Sequence, residues 1–131
     1  MKTVEFTVIG RTLHLCLNGA ALFDIYDNFG DKDSVVDHIA GNTRASFRAT
    51  CWILAKLAEQ GELVRRAQGY DRCDIPTAQL FQLNLKPKDV AAAKHAIREA
   101  VALGFAREEK DDADQPIDLG LQELQKKTGP G

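Results

Sequence analysis

Between Asn42 and Ala58 the chain carries apolar residues on almost every side of a helical wheel. Phe47, Cys51, Leu54, Ala55 and Ala58 recur at helical spacing, and Trp52, Ile53 and Leu57 widen the stripe. A surface helix has one apolar stripe and a polar back, whereas a helix apolar on most sides must be surrounded by other elements. The stretch therefore predicts a central core helix beginning at Asn42 or Thr43, either of which can cap it. Gly61 falls within the pattern, so the helix either ends there or runs on, weakened, through Glu62 to Gln68.

The surrounding sequence supplies what such a helix needs. Val4 to Leu17 alternates with period two: Val4, Phe6 and Val8, then Leu13, Leu15 and Leu17, share a face opposite Glu5, Thr7, Thr12, His14 and Cys16. With a turn at Gly10-Arg11 this reads as a β-hairpin with one buried face. A lone hairpin is marginal in water, so it must pack on helices or pair with another chain. Asn18 can cap a helix with Leu22, Ile25, Tyr26 and Phe29 on one stripe and Gly30 as its stop. Asp33 or Ser34 opens a short helix carrying Val35, Val36 and Ile39, closed by Gly41. After a loop at Gly69 to Arg72, Asp74-Ile75-Pro76-Thr77 introduces a short helix with Leu80, Phe81 and Leu83, Pro76 suiting its first turn. Lys86-Pro87 opens the last helix, with Val90, Ala93 or Lys94, Ile97 and Val101 inward and Gly104 at its end. The expected fold is mainly α: an N-terminal β-hairpin followed by about five helices, in one domain over residues 1–105. Residues 106–131 form an acidic C-terminal tail.

Length and composition agree with this. A chain of 131 residues, 44% hydrophobic and 27% charged, builds one ordinary core without disulfides or metal. The tail from Ala106 holds seven acidic and four basic residues, which leaves the preceding residues one charge positive. A near-neutral body with an acidic tail suits a protein partner better than nucleic acid or an anionic membrane. Three widely spaced cysteines, Cys16, Cys51 and Cys73, read as reduced thiols, and the alternation starting right after Met1-Lys2-Thr3 leaves no room for a signal sequence. The expected compartment is the cytoplasm.

Candidate chemistry is sparse. His14 and Cys16 share a strand face, yet zinc needs three or four ligands and no second pair stands at ligand spacing. Cys51 lies in the apolar helix, where a thiol behaves as a small hydrophobe, and Cys73 sits beside Arg72 with no histidine motif. The aspartates at 24, 27, 31, 33 and 37 do not match a calcium loop. No catalytic residue, metal site or cofactor is expected.

Two features point to binding instead. Arg65, Arg66, Arg72, Lys86, Lys88 and Lys94 form a loose basic group after the long helix, either an electropositive surface opposing the tail or a solvated face. In the tail, Ile117, Leu119, Leu121 and Leu124 follow the acidic run Glu108 to Asp114. Such a segment can add to a sheet edge or lie in a groove, the alternative being a disordered terminus with chance leucines.

The order of these pieces resembles the tail assembly chaperones of long-tailed bacteriophages and prophages. The resemblance runs over nearly the whole chain: the hairpin Val4 to Leu17, the helix Ala20-Ala21-Leu22-Phe23-Asp24-Ile25-Tyr26, the long helix Phe47 to Ala58, and Leu85-Lys86-Pro87-Lys88-Asp89-Val90 opening the last helix. It implies a non-enzymatic protein that binds the tape measure protein, keeps it soluble and helps the tail tube protein assemble. It also implies self-association, residence in the cytoplasm of the bacterial host, and absence from the finished virion. In that family a longer frameshifted product is common; Gln125-Lys126-Lys127 is compatible with the slippery codons CAA AAA AAG. Leu22, Phe23, Phe29 and Trp52, with Phe23 off the main stripe of its helix, are the expected partner-binding residues in the body. The other readings are a minor structural phage protein, such as a head–tail connector or minor tail protein, and a small helical regulatory or DNA-binding domain.

Overall fold

The computed structural model describes residues 1–106. Strands β1 (Val4–Val8) and β2 (Arg11–Leu15) pair antiparallel, with Phe6 opposite Leu13 and Val8 opposite Arg11. The turn is Ile9-Gly10, one residue earlier than the sequence suggested, and Arg11 belongs to β2. Both turn residues have positive φ, 44° and 74°, which matches the twist a two-residue hairpin needs. For β-branched Ile9 that conformation is strained, and glycine's freedom at Gly10 carries the second half of the turn.

Five helices follow: α1 (Gly19–Phe29), α2 (Val35–His38), α3 (Arg44–Ala67), α4 (Ala78–Asn84) and α5 (Pro87–Phe105). Their starts follow capping chemistry. Asn18 accepts from the Ala21 amide, Ser34 from Asp37, Thr43 from Ser46 and Thr77 from Leu80. Pro87 takes the first position of α5, and the Asp89 carboxylate accepts from the Lys86 amide.

Helix α3 is the axis of the fold. Ala49, Thr50, Cys51, Ile53, Leu54, Leu57 and Ala58 are all buried, and the hairpin, α1, α4 and α5 contribute Leu13, Leu15, Ile25, Phe81 and Ile97 to the same core. Thr50 is tolerated there because its hydroxyl donates to the Ser46 carbonyl at 2.7 Å. The helix does not stop at Gly61. A Cβ there would overlap the His14 carbonyl, so glycine lets β2 lie directly on α3.

Four expectations need correction. Cys16 is buried, because β2 ends at Leu15 and the Cys16 amide turns to donate to the Leu57 carbonyl at 3.1 Å. Of the three large apolar residues of α4 only Phe81 is buried, and Leu83 is 83% exposed. Gly104 lies inside α5, which ends one residue later; a Cβ there would come within 2.7 Å of the Leu17 carbonyl. Pro76 is buried ahead of the Thr77 cap, outside the first turn of α4. The tail residues Ile117, Leu119, Leu121 and Leu124 lie outside the described residues.

Candidate functional site

Aromatic residues of α1 pair with one another and with Trp52 of α3. Phe29 meets Trp52 edge to face at 5.3 Å between ring centroids, and His38 stacks on the same Phe29 at 5.3 Å. Phe23 meets Tyr26 edge to face at 5.8 Å and is itself 62% exposed. Edge-to-face pairs place a positive ring edge on a negative ring face, which holds the rings at fixed angles.

Lys56 ties this seam together. Its Nζ lies 3.0 Å from Asp24 of α1 and 2.8 Å from Glu59, and 5.7 Å from the Trp52 ring centroid. Burial alone pushes the ammonium pKa down, but hydrogen bonds and attraction from Glu59 and Asp24 outweigh it and leave the value above 10.5. Lys56 is therefore a charged strut at neutral pH, fixing the turn of α1 that presents Phe23.

Beyond Lys56 the surface opens into a groove of about 320 Å³, lined by Trp52, Ala55, Lys56 and Glu59 on one wall and Ile75 to Gln79 on the other. One wall is helical and the other is extended chain leading into α4. The lining mixes Trp52, Ala55, Ile75, Pro76 and Ala78 with charged Lys56 and Glu59, a composition that can accept an apolar side chain of an amphipathic helix.

Of the expected partner-binding residues in the body, Phe23 alone is largely exposed. Leu22, Phe29 and Trp52 are half-buried and pack against the core, so they support the surface more than they present it. Sequence reasoning missed the second wall. Ile75, Pro76 and Ala78 carry no periodic signal, and only the fold brings them to Trp52.

The basic group does not form one patch. Arg65 and Arg66 each reach the Glu62 carboxylate at 2.9 Å, and their remaining N–H groups donate to the Asp71 and Cys73 carbonyls. Glu62, only 6% exposed, also accepts from the Cys73 amide at 2.7 Å. Burial would raise its pKa, but the Cys73 amide, Arg66 and Arg65 together hold it below 4.5. These arginines staple the segment 69–74 to the end of α3. Lys94 donates to the Gly41 carbonyl at 2.6 Å, beside the opposite end of α3, and a helix of 24 residues separates the two sites by roughly 36 Å. Arg72, Lys86 and Lys88 are exposed.

Among the described residues, no three His, Cys, Asp or Glu side chains come together to hold a metal ion. No helix among them is long and apolar enough to cross a membrane. Compared with family models, curated proteins and solved structures, the chain matches none.

Proposed function

We propose that this protein is a tail assembly chaperone of a bacteriophage or prophage. It binds the tape measure protein non-enzymatically, keeps it soluble and assists assembly of the tail tube. The observation that carries the reading is the exposed Phe23, whose neighbour Asp24 bridges to Lys56 in the wall of the Trp52 groove. An exposed aromatic and a separate apolar groove suit a long amphipathic helix as the ligand, and the tape measure protein is a long, largely helical chain of that kind. The order of elements in the sequence supports the same reading. The protein would act in the host cytoplasm and leave the particle before maturation.

Co-expression with the tape measure protein tests this directly. The wild-type chain should raise the soluble fraction of that protein and co-purify with it. Phe23→Glu should weaken binding by about tenfold, the scale of losing one aromatic anchor. Leu83→Glu, at a still more exposed position outside the seam, should leave binding unchanged. Presence of the chain in purified virions would favour a minor structural protein instead.

A further inference from the structure

The hairpin has one closed edge and one open edge. The outer edge of β2 is covered: Gly61 of α3 lies against the His14 carbonyl, Arg11 Nη2 reaches the Asp74 carbonyl at 2.9 Å, and the Cys16 amide bonds Leu57. The edge of β1 has no such cover. Val8 and Arg11 close the two-residue turn, so Phe6 with Leu13 and Val4 with Leu15 exchange the ladder hydrogen bonds. The N–H and C=O groups of Glu5 and Thr7 then point away from β2, and both residues are exposed. Among the described residues these groups have no hydrogen-bond partner.

Exposed edges are usually blunted by lysine, proline or a bulge. Val4-Glu5-Phe6-Thr7-Val8 contains none of these. Val4 and Phe6, on the core face, are only half-buried. The edge is also self-complementary. An antiparallel copy centred on Phe6 sets Glu5 opposite Thr7 and Val4 opposite Val8, with no like charges facing. It brings the two Phe6 rings together as a close, non-hydrogen-bonded cross-strand pair. Centring on Glu5 instead would place two carboxylates opposite each other. We infer that β1 is a self-association edge: two copies of this chain pair β1 to β1 about a twofold axis through Phe6, giving a continuous four-stranded sheet. This holds independently of the partner proposed above.

The register makes the test specific. In the full-length chain, T7K sets a lysine opposite Glu5 twice per dimer, and T7E sets a second carboxylate there twice. Both lose the 3.0 Å contact between the Thr7 and Thr12 hydroxyls, so any shared effect on folding cancels between them. Sedimentation equilibrium up to about 100 μM covers the range expected of a small interface. T7K should associate about tenfold more tightly than T7E, with wild type between. Hydrogen exchange at the Glu5 and Thr7 amides should slow as wild-type concentration rises. A monomer throughout that range overturns the inference. So does a dimer indifferent to the sign of the charge at this position, or amide protection independent of concentration.

Discussion

Gly61 shows how one hydrogen atom can decide the packing of two elements. Within a helix, alanine is favoured over glycine by about 1 kcal/mol, so Gly61→Ala would stabilise an isolated α3. Here the added methyl meets the backbone of His14, which has no rotamer by which to move aside. Gly61→Ala should therefore lose about 3 kcal/mol in urea unfolding, the upper range for an overpacked contact. Gly19→Ala, with open space around its Cβ, should be neutral or slightly stabilising. The thiols sort in the same local way. Cys16 and Cys51 are buried, and burial pushes the Cys51 pKa up to about 11, whereas Cys73 is exposed. A thiol reagent should label Cys73 rapidly in the native protein and reach the other two only on unfolding. Periodicity revealed the burial of Cys51. It misassigned Cys16, because alternation describes a strand and says nothing about the residue where the strand stops.

At the scale of elements, most helix starts were legible because they depend on local chemistry: Asn18, Ser34 and Thr43 each accept from an amide three residues on, and Pro87 brings a fixed φ to the first position of α5. Gly30 as the end of α1 was legible too, but the ends of α3 and α5 and the loop attachments were not, since they depend on residues far apart in the chain. Nothing in the local sequence marks Glu62, yet it holds Arg65, Arg66 and the Cys73 amide together. Its carboxylate pKa is lowered on folding, so its contribution to stability is present above about pH 4.5 and fades as pH falls through the lower folded value. Glu62→Gln should cost about 2 kcal/mol at pH 7. The difference from wild type should shrink steadily below pH 4.5, as measured by urea unfolding across pH. Near neutral pH the same variant should be cut faster by trypsin after Arg72, with helical content from circular dichroism unchanged.

For the whole molecule, the mainly α architecture with an N-terminal hairpin follows from a sequence in which one helix is too apolar to stand at a surface. The proposed interaction surface was half legible. Phe23 stands out as an aromatic off its helix stripe, but the groove beside Trp52 exists only because the chain between α3 and α4 returns across α3. Trp52 is the only tryptophan in the protein, so its fluorescence reports on that groove without labelling. The central claim is that a long helical partner seats there, and titration of the full-length chain with purified tape measure protein tests it. A saturable change in Trp52 emission at micromolar partner, weakened about tenfold by Phe23→Glu, is the predicted result. Unchanged emission together with no co-sedimentation at the same concentrations would contradict the proposed function.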